Sequence, residues 1–282
     1  MAIEHIDLPF ADYMRLDGLN TSSLKEFADC PETYSRRLLG HIPRRPTTDA
    51  MRFGIDVEHY LRFSEPPDDL VVIPDEVLSS SGSRAGKSWR VFYEENAGRR
   101  LLKRHEYDER IAALRAVYQQ VDAHQDAHHI VSRGNWSVAY QWTCPHGSTL
   151  RLKGLADIVG DGWIADVKTT ADPTPNGFAR QAANLRYHWQ AYAYREAYSL
   201  VHGDMPEFYF LVIGNEPPHR VEVYEMDERW MVAAEREVVA ARNAYAPYRD
   251  LPPGAVWRSR SWGMRRLLDC PSWLWRTNDE SR

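Results

Sequence analysis

Two aspartates and a lysine crowd into one short run: Lys153-Gly154-Leu155-Ala156-Asp157-Ile158-Val159-Gly160-Asp161-Gly162-Trp163-Ile164-Ala165-Asp166-Val167-Lys168. Asp161-Gly162 is a preferred two-residue hairpin turn between two apolar stretches. Counted outward from that turn, Gly160 faces Trp163, Val159 faces Ile164, Ile158 faces Ala165 and Asp157 faces Asp166. A period of two then puts Lys168 on the face of Asp166. Directly opposed residues have Cβ atoms roughly 4.5–5.5 Å apart, where like charges repel. A divalent cation would hold two such carboxylates and leave the lysine for an anion. The residues alone keep two readings open, a surface hairpin with solvated acids and a metal site. Leu155, Ile158, Val159, Ile164 and Val167 make both faces apolar, which predicts a buried central hairpin. Unpaired carboxylates buried there cost free energy.

The elements that position this hairpin can be read from pattern. Thr21-Ser22-Ser23 opens a helix to about residue 39, with a kink or break at Pro31. A helix over about 48–62 carries Met51, Ile55, Glu58 and His59 at helical spacing, and Glu65-Pro66-Pro67 stops it. A short strand at 70–73 and a Gly/Ser loop at 79–88 precede helices at about 89–103 and 106–127. Strands at about 136–143, 148–159 and 163–168 form a meander. After the 172–175 linker, a long helix at about 177–200 places Gln190 and Tyr194 one turn apart on one face. Strands at 207–213 and 219–225 and a helix at 227–246 follow. The tail is irregular from about 247, apart from a short helix near 262–268. The expected architecture is a single α/β domain over 1–282, with a helical N-terminal part at about 18–130. Its core, at about 47–225, is a central mixed sheet flanked by the 47–62 and 177–200 helices.

Composition narrows the function classes. A chain of 282 residues can bury a sizeable core. It has no apolar run long enough to span a membrane and no secretory signal at its N-terminus. Three scattered cysteines, Cys30, Cys144 and Cys270, fit reduced thiols in the cytoplasm and cannot supply a four-cysteine cluster. A net charge of −5 argues against a general polyanion coat, though not against a local basic channel. Arg99, Arg100, Lys103 and Arg104 form one basic cluster. Arg258, Arg260, Arg265 and Arg266 form another among Trp257 and Trp262, a pattern that suits phosphate contacts with base stacking as well as a solvated face. Gly82-Ser83-Arg84-Ala85-Gly86-Lys87-Ser88 lacks the glycine spacing of a phosphate-binding loop and reads as a basic loop. His124 and His128 lack the glutamate of a zinc-protease helix and read as a solvated helix end.

Taken in order, the chain offers Gly54-x-x-x-x-His59, Gly154-x-x-Asp157, Asp166-x-Lys168 and Gln190-x-x-x-Tyr194. This series resembles the PD-(D/E)XK nuclease superfamily in its RecB/lambda-exonuclease branch, and looks closest to the C-terminal nuclease domain of exonuclease VIII (RecE-like). Thr21-Ser22-Ser23-Leu24-Lys25, Cys30-Pro31-Glu32-Thr33-Tyr34, Ala50-Met51-Arg52-Phe53-Gly54, Glu65-Pro66 and Tyr187-His188-Trp189-Gln190 extend the likeness over roughly 18–200. The resemblance implies a restriction-endonuclease-like core. It implies His59, Asp157, Asp166 and the Val167 carbonyl as metal ligands, Lys168 as the residue that positions or activates water, and Gln190 and Tyr194 as residues that orient the site and touch the DNA backbone. Glu58 is the neighbouring competitor of His59, and consecutive helix positions point about 100° apart. Asp166 stands where many members carry Glu. Mg²⁺ suits the oxygen ligands and imidazole suits softer ions, so activity with Mg²⁺ and equal or better activity with Mn²⁺ is expected.

The resemblance further implies a 5′→3′ exonuclease on linear double-stranded DNA that leaves 3′ single-stranded tails. A ring-shaped homo-oligomer, in the form of a tetramer, and a single-strand annealing partner in phage-type recombination come with it. The alternatives are a RecB- or Cas4-like nuclease of other polarity, an endonuclease, and a non-catalytic DNA-binding subunit.

Overall fold

The computed structural model describes residues 2–43, 46–146, 149–252 and 254–258. In chain order its elements are β1 (Ala2–His5), α1 (Phe10–Arg15), α2 (Thr21–Asp29), α3 (Pro31–Leu38), α4 (Asp49–Phe63), β2 (Leu70–Val72), α5 (Lys87–Glu95), β3 (Arg100–Leu102), α6 (Arg104–Ala123) and α7 (Gln125–Arg133). Then come β4 (Asn135–Thr143), β5 (Arg151–Gly160), β6 (Trp163–Thr170), α8 (Pro175–Asn184), α9 (Tyr187–His202), β7 (Glu207–Gly214), β8 (Val221–Glu225) and α10 (Glu228–Arg249).

Six strands form one mixed sheet in the order β1-β4-β5-β6-β7-β8, and β2 pairs with β3 separately. The β4–β5–β6 meander is antiparallel, whereas β6 and β7 run parallel. Parallel neighbours need a crossover connection, and α8 and α9 provide it. Helices cover both faces of the sheet. On one, Phe53, Val57 and Leu61 of α4 join Ile111, Leu114 and Val117 of α6 against Leu211 and Ile213 of β7. On the other, α2, α9 and α10 pack Leu24, Phe27, Trp189, Ala193 and Val238 against Tyr140, Ile164 and Phe210. The 47–62 and 177–200 segments therefore flank the sheet from opposite sides.

Local chemistry explains the departures from the expected elements. The first helix breaks at Cys30, whose thiol caps α3 by accepting from Thr33 N, and Pro31 fits the first position of that new helix. Asn20, rather than Thr21, caps α2 by accepting from Ser23 N. The long helix expected at 177–200 is two helices, divided where Arg186 adopts a left-handed conformation with φ 51°. The helix expected at 89–103 ends near Glu95, and residues 100–102 form β3 instead. The following helix breaks at His124, whose Nδ1 accepts from Ala127 N and caps α7. His128 faces Asp122 at 3.0 Å, so both histidines serve local contacts. β1 has no counterpart in the sequence reading. No helix of the described residues is long and apolar enough to cross a membrane.

Candidate active site

The hairpin register holds for three pairs, Gly160–Trp163, Val159–Ile164 and Ile158–Ala165, and the ladder ends there. Asp157 and Asp166 are thus not ladder partners. Asp157 Oδ2 instead accepts a hydrogen bond from Val167 N at 2.8 Å, replacing a ladder bond with a side chain. Asp166 is fully buried. Its Oδ1 accepts from Gln190 Nε2 at 2.6 Å, and its Oδ2 pairs with Lys168 Nζ. Gln190 Nε2 also reaches Tyr194 Oη at 3.2 Å, and Tyr194 Oη donates to the Leu155 carbonyl at 2.6 Å. The i, i+4 pair on α9 therefore ties itself to both strands of the hairpin.

Glycines in the motifs make room for this arrangement. A Cβ on Gly154 would stand 2.6 Å from the Tyr194 ring, so only glycine lets that ring lie against β5. A Cβ on Gly54 would stand 3.1 Å from Thr169 Oγ1, which sets how closely α4 approaches β6.

The charges around the aspartates do not balance. Burial pushes the Asp157 carboxyl well above the usual carboxylate range, and the Asp166 and Glu58 charges push it further, against the pull of Lys168. Burial also raises Glu58, which Lys168 pulls back and Asp166 pushes up. Burial works against the Lys168 ammonium, but Asp166 and Asp157 outweigh it and its pKa rises. Tyr194 is raised far beyond an ordinary phenol by burial and by both aspartates. Three carboxyl groups thus share one ion-paired ammonium, Lys168, while Lys25 and Arg62 act on them from further off, an arrangement that a cation bound among the carboxyl groups would relieve.

Glu58, His59, Asp157, Gln190 and Tyr194 line one cavity of about 1170 Å³, which also reaches Tyr13, Ser22 and Arg62. His59 shares this wall, and its ring packs on Phe63 with centroids 4.8 Å apart. The structure thus brings Asp157, Asp166, Val167, Lys168, Gln190 and Tyr194 into one bonded network, with His59 and Glu58 on the adjoining wall. Of the two α4 candidates, Glu58 is the one whose charge is felt by Asp157. Among the described residues no three His, Cys, Asp or Glu side chains converge into a ready-made metal cage. The donors nonetheless fit a hard divalent ion, because they are carboxylate oxygens gathered in excess of the ion-paired positive charge, with Asp166 fully buried.

The sequence reading also gave no role to Lys25. This α2 lysine stands 5.7 Å from the centroid of the Tyr187 ring, and Lys168 stands 5.1 Å from the same centroid. Burial lowers its pKa to about 7, with help from the Lys168 ammonium. Lys25 and Lys168 are 143 positions apart in the chain, so no spacing could have joined them.

The second basic cluster divides. Arg258 presents its carbonyl to Tyr248 Oη at 2.6 Å, whereas Arg260, Arg265 and Arg266 lie outside the described residues, as do Trp262 and the expected 262–268 helix. Trp257 is not a free stacking platform, because it packs among Phe27, Tyr34, Tyr245 and Tyr248. In the first cluster, Arg100 is spent on Asp56 and Asp69.

Comparisons with known proteins agree with this geometry. A model described as "PDDEXK-like domain of unknown function (DUF3799)" matches residues 20–249. No curated protein matches. A crystal structure described as a "Putative exonuclease" from Eubacterium rectale is 15% identical with a TM-score of 0.60, covering 95% of this chain and 96% of that one. That likeness speaks to the fold alone. A structure of SSO0001 aligns over 71% of this chain and 94% of that one at 15% identity, but its TM-score of 0.28 supports no argument. With the match covering most of its length and the Asp157, Asp166 and Lys168 set in place, the chain belongs to this PDDEXK-like domain family.

Proposed function

We propose that the protein is a metal-dependent deoxyribonuclease, acting as a 5′→3′ exonuclease on linear double-stranded DNA. The observation that carries the reading is the Asp157/Asp166/Lys168 cluster, with Asp166 fully buried, a surplus of carboxyl groups, and the half-buried Asp157 opening on a large cavity. Asp157 and Asp166, with Glu58 or His59 from α4 and the Val167 carbonyl, would hold Mg²⁺ or Mn²⁺. Such an ion lowers the pKa of an attacking water and offsets charge on the phosphoryl oxygens.

The chain's own residues do the rest. Lys168, ion-paired to Asp166, presents an ammonium to a phosphate oxygen or to the attacking water. Gln190 fixes the Asp166 carboxylate by its hydrogen bond, and Tyr194 locks Gln190 to the Leu155 carbonyl. The 5′→3′ direction, the 3′ tails, the ring-shaped oligomer and the annealing partner rest on the family resemblance.

The test is digestion of linear duplex DNA labelled at the 5′ or 3′ end, in Mg²⁺, Mn²⁺ or EDTA, beside Lys168→Ala and a closed circle. Early release of 5′ label as mononucleotide, with the circle intact and the variant inactive, is expected. Cutting of the circle would replace the exonuclease by an endonuclease. DNA binding without any cleavage would point to a non-catalytic subunit.

A further inference from the structure

Lys25 is half-buried on α2, between the core residues Leu24 and Phe27. Its ammonium and that of Lys168 share the Tyr187 ring. That ring is held in place. Gln181 Nε2 donates to Tyr187 Oη at 3.2 Å, Gln181 Oε1 accepts from Thr170 Oγ1 at 2.6 Å, and the ring stacks on Phe210. The neighbouring cations have acids of their own: Lys168 pairs with Asp166, and Arg186 pairs with Asp29 at 2.8 Å. Among the described residues no carboxylate pairs with Lys25. Two ammonium groups on one fixed ring, one of them with Asp166 acting on it only from beyond ion-pair distance, repel each other in a partly desolvated place. Cation–π attraction offsets only part of such a cost. An anion between them would reverse its sign.

We propose that Lys25 and Lys168, set on Tyr187, form a paired anion site that holds a phosphate group of the DNA strand beside the carboxylate cluster. The identity of the strand rests on the nuclease reading above, whereas the anion site does not. A phosphate suits two ammonium groups better than a carboxylate does, because it carries more acceptor oxygens for point-charge donors. The phosphate is either an internal phosphodiester or a terminal phosphomonoester. A lysine that merely packs its stem would be replaceable by Met at no cost to binding.

The experiment measures binding of a 3′-labelled single-stranded oligonucleotide in EDTA, where cleavage is off, across a range of salt. The oligonucleotide carries either a 5′-phosphate or a 5′-hydroxyl. Lys25→Met is expected to weaken binding about ten-fold at low salt and to flatten the salt slope by about one. Lys25→Arg is expected to restore most of both, and Lys25→Gln serves as a polar control should Met perturb folding. An equal loss for both ends identifies an internal phosphate, and a loss confined to the phosphorylated end identifies a terminal one. Wild-type affinity and slope in folded Lys25→Met, for both ends, would overturn the proposal. If the wild type cleaves nothing in Mg²⁺ but the Lys25 effect is present, the anion site stands and the nuclease reading falls.

Discussion

Two buried ionic clusters lie on either side of α4, and they are built differently. Asp56 is fully buried and meets Arg100 Nη2 at 2.6 Å and Arg110 Nη1 at 2.8 Å. Arg100 also grips Asp69 through Nε at 2.6 Å, a bond that lowers the Asp69 pKa. Acid and base there are matched, two carboxylates to two guanidinium groups. At the other cluster Asp166 is as deeply buried, yet three carboxyl groups, Glu58, Asp157 and Asp166, have one ion-paired ammonium among them, Lys168, with Lys25 acting from further off. Burial alone therefore does not mark a site. The matched cluster binds α4 to β3 and α6 and is complete. The unmatched one carries like-charge repulsion that a proton on Asp157 or a bound cation relieves, and such clusters collect where chemistry is done.

Breaking each cluster should give opposite results. Asp166→Asn or Lys168→Met is expected to lower DNA cleavage about 10³-fold, roughly 4 kcal/mol of transition-state stabilisation, with little loss of melting temperature. Asp56→Asn should do the reverse, because it leaves Arg110 facing no carboxylate and Arg100 with Asp69 alone. Denaturant unfolding should show a loss of about 3 kcal/mol, while cleavage per folded molecule is kept. A large loss of stability in the Asp166 variant, or of activity alone in the Asp56 variant, would erase the distinction.

A further substitution sharpens it. With its pKa raised, the folded protein holds the Asp157 proton more tightly than the unfolded chain does. The metal-free protein therefore loses stability as pH rises from the ordinary carboxylate value through the raised one. Asp157→Asn keeps an acceptor for Val167 N and removes the charge. It is expected to melt higher than the wild type without metal at neutral pH. It should also forfeit the gain of about 2.7 kcal/mol that a metal at a hundred times its Kd confers on the wild type.

The last effect concerns Lys25. Its pKa falls from 10.5 to about 7 on folding, so between those values the unfolded chain binds more protons than the folded one. Stability should then rise with pH across that window, and Lys25→Met should remove that contribution. Equal slopes in melts from pH 7 to about 10 would count against a desolvated Lys25.

What could be read from sequence was local. The Asp161-Gly162 turn set three ladder pairs correctly, because turn type and alternation fix register over short range. The same count failed at Asp157, because its side chain captured Val167 N and ended the ladder. The Gln190–Tyr194 pairing followed from helical period alone. The break before Tyr187 did not, since nothing nearby announces a left-handed arginine. Choosing between Glu58 and His59 required knowing which α4 side chain feels the sheet's carboxylates. Lys25 and Tyr187 required the packing of α2 near α9, a contact made by tertiary structure.

The central claim is that the Asp157/Asp166 cluster is unbalanced because a divalent metal completes it. Calorimetric titration of Mn²⁺ into the wild type, beside Asp166→Asn and Asp56→Asn, tests it most directly. The account predicts saturable binding in the wild type, the same binding in folded Asp56→Asn, and none in Asp166→Asn. Absence of binding in the wild type, or undiminished binding in Asp166→Asn, would contradict it.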